Sequence, residues 1–277
     1  MPLTIGAVAY DPKVVTIWEG FCSWLGRRGL PADYVLYSNY ERQVDALLAG
    51  QVHTAWNSPL AWVETERKAA RAGREAYGFA MRDTDQDLTS LVVAREDGPI
   101  RRLADLDGKR VAVGAYDSPQ ASLIPLELLR AAGVRPEVVV FDVLPGKHGD
   151  HVGGERDAVR ALVAGTVDAA CLIDGNLTVF TREGTLPTGL ARVVGRSLPY
   201  DHCLFTAIRG VRDADVNTFA ELLLAMSWDD PEVRPLLELE GLRQWRPPRT
   251  TRFDQLASAV DQLDFPGAAQ VRAFVDR

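Results

Sequence analysis

The chain has 277 residues, of which 47% are hydrophobic and 25% are charged, and its formal net charge is −7. This composition is typical of a folded globular protein and excludes a largely disordered one. The negative charge argues against a nucleic-acid partner or an anionic membrane surface, but it is compatible with a small anion held at helix N-termini. No apolar run is long enough to span a bilayer, so we expect no direct membrane insertion.

Apolar runs and helical periodicity alternate along the first part of the chain. We predict strands over 4–10, 34–37 and 52–56, and helices over 13–28, 40–49 and from Pro59 to about Ala72. Strands that alternate with helices predict parallel sheets with helices on both faces.

The same alternation continues in the middle of the chain. We predict strands over 88–94, 110–114, 138–143, 191–194 and 202–208, a helix that ends near Ala132, and mostly helix from about Ala214 onward. No low-complexity linker separates these elements. We therefore expect two lobes joined by strands, with lobe one formed by residues 1–88 and 204–277 and lobe two by residues 89–203.

One stretch of the sequence occurs twice. Residues 46–56 and 161–171 are identical at six of eleven positions, and each copy reads as a helix end, a glycine and a short strand. The glycines stand where a helix C-cap requires left-handed backbone. Each strand ends at a polar cluster, Trp56-Asn57-Ser58 in one copy and Asp174-Gly175-Asn176 in the other. Because α/β sheets bind ligands at strand ends, we expect a ligand cleft between two similar lobes.

Two further segments carry a family resemblance. The string Leu103-Ala104-Asp105-Leu106-Asp107-Gly108-Lys109-Arg110-Val111-Ala112 resembles the start of the second lobe in type II periplasmic-binding-protein folds. The segment that begins Ser118-Pro119-Gln120-Ala121-Ser122 resembles the serine-rich helix start of the phosphonate/phosphite-type ABC transporter substrate-binding proteins. The resemblance implies two lobes, each a mainly parallel sheet flanked by helices, joined by two crossover strands. It also implies a receptor that closes on a small anion and an ABC transporter permease as a possible partner.

The candidate ligand-binding residues follow from strand ends and helix starts. A helix N-terminus offers free N–H groups and a positive dipole end, and serine hydroxyls add donors, although serine also caps ordinary helices. A tryptophan at a strand end stacks on a ligand or packs in the core. The predicted contacts are Tyr10, Trp56, Asn57, Ser58, Thr89, Ser90, Ser118, Gln120, Ser122, His151, Asp174 and His202.

An alternative hypothesis is a cytoplasmic enzyme on the same fold, acting on a small carboxylated or sulfur- or phosphorus-containing metabolite. Its catalytic residues would be His151, Asp150, His202 and Cys203. Because adjacent residues of a strand face opposite sides, we do not expect His202 to activate Cys203 itself. A histidine and aspartate cluster without a matched third or fourth ligand predicts no metal site, and we expect no cofactor.

The beginning of the sequence bears on location. It shows no basic segment followed by an apolar one, as a secretory leader would. We expect a cytoplasmic protein if the sequence is native and full length, and an extracytoplasmic one if a signal peptide was removed.

Overall fold

A computed structural model describes residues 1–9, 12–142 and 151–262 of the chain. These residues form eleven strands: Leu3–Val8 (β1), Ala32–Tyr37 (β2), Thr54–Asn57 (β3), Ala76–Arg82 (β4), Ser90–Arg95 (β5), Arg110–Val113 (β6), Glu137–Val140 (β7), Ala169–Ile173 (β8), Ala191–Arg196 (β9), Leu204–Ile208 (β10) and Trp245–Arg246 (β11). Strands β4 and β11 were not predicted from the sequence, and β11 lies in a segment that was predicted to be mostly helical.

The same residues form nine α-helices: Lys13–Arg27 (α1), Tyr40–Leu48 (α2), Pro59–Arg71 (α3), Ile124–Ala131 (α4), His151–Val163 (α5), Asp174–Arg182 (α6), Asp213–Leu224 (α7), Arg234–Glu240 (α8) and Asp254–Gln262 (α9). A π-helical turn, Pro119–Leu123, leads into α4, and 3-10 turns span Asp83–Asp85, Leu103–Leu106 and Thr250–Phe253. None of the helices in the described part of the chain combines the length and apolar character of a membrane span.

The chain folds into two compact units. The first contains Met1–Gln86 and Asp201–Phe253, and the second contains Asp87–Tyr200 together with α9. The prediction placed 254–277 in lobe one, and for the described residues of that segment this is wrong. Helix α9 buries Leu256, Ala259 and Val260 and packs against α4 and the π-helical turn. Within the described residues the chain therefore passes between the units three times, instead of the two times that were predicted.

The first unit contains a six-stranded sheet in the order β11-β4-β10-β3-β1-β2. Strands β1 to β4 run in one direction, whereas β10 lies antiparallel between β3 and β4, and β11 is antiparallel to β4. Leu204, the first residue of β10, is paired with Asn57 on one side and Met81 on the other. The start of β10 thus lies at the carboxyl ends of its neighbours.

The second unit repeats this arrangement in a five-stranded sheet, in the order β7-β6-β8-β5-β9. Strand β5 alone runs against the others and pairs with β8 and β9, so that Ser90 lies opposite Ile173 and Leu91 opposite Arg196. Both sheets are mainly parallel in strand direction, as predicted, and each contains a reversed strand in its interior.

Each unit has its own apolar core. In the first, α1 buries its apolar face on the sheet, and Trp18, Phe205 and Trp245 form a contiguous aromatic cluster. In the second, Leu91 and Leu172 of the sheet pack against Phe180 and the buried face of α5. Each unit thus buries apolar surface of its own. Burial of apolar surface is the main favourable term in folding.

The duplicated stretch has the same backbone in both copies. Gly50 and Gly165 each have φ of +71°. The amide of Gln51 donates to the carbonyl of Ala46 at 2.9 Å, and that of Thr166 donates to the carbonyl of Ala161 at 3.0 Å. These bonds close the last helical turn as a left-handed C-cap requires. The predicted helix–glycine–strand unit is confirmed in both places.

We expect Gly50→Ala to lower the free energy of unfolding by about 1 kcal/mol, because a Cβ is strained in left-handed backbone. The control is Gly26→Ala in α1. A Cβ at Gly26 meets no atom within 4 Å, so helix propensity should raise stability by about 0.5–1 kcal/mol. Urea denaturation measures both. Equal stability of the two variants would contradict the assignment of Gly50 as an obligatory cap.

Candidate functional site

In the second unit, Asp174 and Thr89 meet at the carboxyl edge of the sheet. Asp174 begins α6 directly after β8, and Thr89 directly precedes the reversed strand β5. The hydroxyl of Thr89 donates to Oδ2 of Asp174 at 2.9 Å. Both residues were predicted as ligand contacts, and the structure brings them together.

Arg196 adds a positive charge at this place. It ends β9, and its Nη1 donates to Oγ1 of Thr89 at 2.5 Å and lies 3.7 Å from Oδ2 of Asp174. The side chain of Arg196 is 52% exposed and that of Asp174 is 33% exposed. Arg196 was not predicted as a site residue, because the predicted strand ended at Val194. The available signal in the sequence was the positive charge of Arg196 shortly after a run of β-branched residues.

The turn before α4 contains the predicted serines, Ser118 and Ser122. The hydroxyl of Ser118 accepts from the amide of Ala121 at 3.2 Å, and the hydroxyl of Ser122 donates to the carbonyl of Ala115 at 2.6 Å. Both residues are buried. Their side chains therefore hold the turn closed, and their contact with a ligand stays a prediction.

Gln120 in the same turn differs from both serines. Its residue is only 6% exposed, yet its side-chain oxygen has no hydrogen-bond partner among the described residues. Buried polar atoms are nearly always bonded, because an unmade bond costs roughly 1–3 kcal/mol. The turn packs against β8 and β5, the strands beside Asp174 and Thr89. The side chain of Gln120 therefore has unused bonding capacity in the part of the second unit that contains these strands.

Glu155 is a second residue that the sequence analysis missed. It is fully buried on α5, and its Oε2 accepts from the amide of Ile173 at 3.0 Å and from Nδ2 of Asn176 at 2.8 Å. These bonds fix the junction between β8 and α6, which positions Asp174. The helix begins at His151, but the side chain of His151 lies outside the described residues, as do Tyr10 and Asp150.

Ser90 was predicted as a ligand contact, but the structure places it inside the second unit. It is fully buried. Its amide donates to Oγ of Ser197 at 2.9 Å, and its hydroxyl is 3.1 Å from the hydroxyl of Tyr200. These bonds stabilise the pairing of β5 with the chain that follows β9.

In the first unit, Trp56 lies at the carboxyl end of β3 with only 5% of its surface exposed. Its ring lies 4.9 Å from that of Phe205 and 5.7 Å from that of Trp245, measured between centroids. The exposed remainder lines a small depression together with Tyr40 and Glu240. Trp56 is therefore chiefly a core residue with one edge at the surface of its unit.

The two residues after Trp56, which were predicted as ligand contacts, have internal partners. Asn57 is fully buried; its Oδ1 accepts from Nε2 of Gln43 at 2.7 Å and its Nδ2 donates to Oγ1 of Thr65 at 3.1 Å. Ser58 is the N-cap of α3 and accepts from the amide of Ala61 at 3.3 Å. Asn57 thus joins α2 and α3 to the sheet, and Ser58 caps a helix.

A buried charge network lies beside Trp56. Arg82 donates from Nε to Oδ2 of Asp85 at 2.5 Å, from Nη2 to Oδ1 at 3.0 Å, and from Nη1 to Oε1 of Glu240 at 3.3 Å. Burial opposes the charge on Asp85, but Arg82 and His202 outweigh it and lower the pKa of Asp85 to about 2. Burial raises the pKa of Glu240 to about 7 despite the opposing effect of Arg82.

His202 and Cys203 lie next to this network. Nδ1 of His202 is 3.1 Å from Sγ of Cys203 and 3.4 Å from Oδ1 of Asp85. The prediction that these neighbours face opposite sides was wrong, because β10 begins only at Leu204 and residues 201–203 are not in a strand. Burial, and secondarily Asp85, raise the pKa of the Cys203 thiol well above its ordinary value. Cys203 is therefore a protonated thiol and a poor nucleophile.

Comparison with known proteins identifies one family over most of the chain. Residues 5–252 match the family model described as the periplasmic substrate-binding protein of phosphonate ABC transporters.

Solved structures of similar fold cover nearly the whole chain. PhnD1 from Prochlorococcus marinus, in complex with methylphosphonate, has a TM-score of 0.67 at 14% identity and covers 94% of this chain and 97% of its own. A Xanthomonas citri protein bound to chloride ion has a TM-score of 0.69 at 20% identity and covers 98% of both chains. The aliphatic sulphonate binding protein SsuA of Escherichia coli has a TM-score of 0.54 at 18% identity and covers 99% of this chain and 85% of its own. These likenesses confirm the predicted fold.

We expect the stability of the protein to depend on Glu240 between pH 5 and pH 8. Because the folded pKa of Glu240 is about 7 and its ordinary value is 4.5, the folded state holds this proton more tightly than the unfolded state. The contribution of Glu240 to the free energy of unfolding is then greatest below pH 4.5, and it is lost as the pH rises through 7. Glu240→Gln removes the titration and retains a bond to Arg82.

Thermal and urea unfolding of wild type and Glu240→Gln at pH 5 and pH 8 measure this effect. The wild type should lose roughly 2–3 kcal/mol more than the variant over that range. Glu64, whose pKa is also raised to about 7 by burial, is present in both proteins and cancels. Parallel pH profiles would show that Glu240 is ionised in the folded protein throughout.

Proposed function

Because the chain belongs to the periplasmic substrate-binding protein family of phosphonate ABC transporters, we propose that its solute is a small phosphonate-like oxyanion. Binding of a small anionic solute is the role of this family. Two relatives of similar fold support the ligand class: PhnD1 was solved with methylphosphonate, and SsuA binds aliphatic sulphonates. Both ligands carry a compact tetrahedral oxyanion on a short organic group.

The observation that carries the proposal is the buried amide of Gln120. It lies in the turn that leads into α4, and its oxygen has no partner among the described residues. Oxygen and nitrogen of an amide are assigned from their hydrogen bonds. In either orientation this group offers an unmade bond at a helix start, where the helix dipole favours an anion. A protonated phosphonate oxygen accepts or donates the bond as required.

Arg196 supplies the complementary charge. The bond from Arg196 to Thr89 uses one of the five N–H donors that a guanidinium carries. The planar fork of a guanidinium binds phosphoryl and carboxylate oxygens in pairs. Asp174, which the Thr89 hydroxyl and the Arg196 guanidinium contact, keeps that guanidinium at the edge. We propose that Gln120 and Arg196 together form the oxyanion site of the second unit, and that Thr89 holds Arg196 and Asp174 together beside it.

Transport would need a membrane partner. A substrate-binding component of an ABC transporter delivers its solute to a permease, and we propose such a permease as the partner of this protein. The family assignment supports this partner.

The enzyme hypothesis loses its nucleophile. Its candidate catalytic residues were His151, Asp150, His202 and Cys203, and burial raises the pKa of the Cys203 thiol well above its ordinary value. Thiolate, not thiol, is the reactive form of cysteine. The geometry of the described residues therefore favours ligand binding without covalent chemistry.

We expect Gln120→Ala to weaken binding of methylphosphonate about tenfold, which corresponds to the loss of one buried hydrogen bond of about 1.4 kcal/mol. Gln51→Ala, at an exposed glutamine of the first unit, is the control and should bind as wild type does. Isothermal titration with methylphosphonate, phosphite, phosphate, methanesulfonate and acetate measures affinity and ligand class.

Two outcomes would count against this assignment. If wild type binds none of the five anions, the proposed solute class is wrong. If it binds one of them and Gln120→Ala binds it equally well, the class stands and the proposed site is wrong.

A further inference from the structure

Three potential metal ligands converge in the first unit from two separate parts of the chain. Asp85 lies in the 3-10 turn after β4, and His202 and Cys203 directly precede β10. The amide of His202 donates to the carbonyl of Asp85 at 2.8 Å, which fixes the two segments against each other. One oxygen, one nitrogen and one sulfur atom of these side chains all lie within 4.8 Å of one another.

The spacing of these atoms fits a tetrahedral centre. With zinc bonds of about 2.0–2.3 Å to nitrogen, oxygen and sulfur, tetrahedral geometry places neighbouring ligand atoms about 3.4 Å (N and O) and about 3.6 Å (N and S) apart. Nδ1 of His202 lies 3.4 Å from Oδ1 of Asp85 and 3.1 Å from Sγ of Cys203. The first distance matches, and a movement of about 0.5 Å in Sγ satisfies the second.

The surroundings fit a second shell around such a centre. Arg82 holds Asp85 through two nitrogens, and carboxylates that ligate metals are themselves commonly hydrogen-bonded. The carboxyl of Asp85 is 3% exposed and the imidazole of His202 is 20% exposed. His202 is therefore the partly exposed member of the cluster, and Asp85 and Cys203 are buried.

We propose that Asp85, His202 and Cys203 form a binding site for one divalent cation of borderline softness, with zinc as the expected ion and solvent at the fourth position. A mixed oxygen, nitrogen and sulfur set selects zinc over magnesium or calcium, which prefer oxygen ligands alone. Binding releases the thiol proton of Cys203 to solvent, because a coordinating thiol is deprotonated. The sequence analysis found no third ligand because Asp85 is distant from His202 in the chain.

The experiment is a titration of the metal-free protein with Co²⁺, which replaces zinc and reports its ligands by absorption. We expect one equivalent to bind and to produce a thiolate-to-cobalt charge-transfer band, and one equivalent of Zn²⁺ to abolish it. Cys203→Ala and His202→Ala should lose the band or weaken binding at least tenfold. Cys22→Ala is the matched control, since Cys22 is a half-buried thiol of the same unit on α1.

The wild-type spectrum decides the question even if a variant folds poorly. Absence of a charge-transfer band in wild type, with circular dichroism showing folded protein, would overturn the proposal. So would an unchanged band in folded Cys203→Ala. No anion is used in these titrations, so their failure is distinct from a failure of the proposed solute class.

Discussion

A reversed strand in the interior of each sheet determines where the functional groups lie. Strand β10 runs between β3 and β4, and β5 runs between β8 and β9. The residues that precede a reversed strand must therefore lie beside the carboxyl ends of the strands on either side. In this way Thr89 reaches Asp174, and His202 and Cys203 reach the chain that follows β4. Ligands of α/β sheets bind at the carboxyl edge, so topology alone concentrates the candidate chemistry there.

The two edges use their polar residues differently. In the second unit, Asp174 and Arg196 are partly exposed, and the buried Gln120 keeps an unused bond. That combination of a neutral amide and a solvated guanidinium suits an oxyanion, which must be partly dehydrated as it binds. In the first unit, Asp85 and Glu240 are buried around Arg82 and beside aromatic rings. Oxygen, nitrogen and sulfur ligands held at fixed distances suit a cation.

Local chemistry made part of the fold predictable. The duplicated helix–glycine–strand unit was recognised because a left-handed C-cap depends on a glycine and its immediate neighbours. Long-range packing decided what the sequence missed. Asn57 resembles a ligand contact at a strand end, but residues of α2 and α3 complete its bonds. Asp85 pairs with His202, more than a hundred positions later in the chain. Helix α9 packs on α4. Hydrophobic periodicity along the sequence reveals neither contact.

The central claim is that the second unit holds an oxyanion at the start of α4 and the ends of β8 and β9. A crystal structure of the protein with methylphosphonate tests this claim most directly. We predict phosphonate oxygens within hydrogen-bonding distance of the side chains of Gln120 and Arg196, with the serines of the turn still bonded internally. A phosphonate bound in the second unit but away from both side chains would contradict the account.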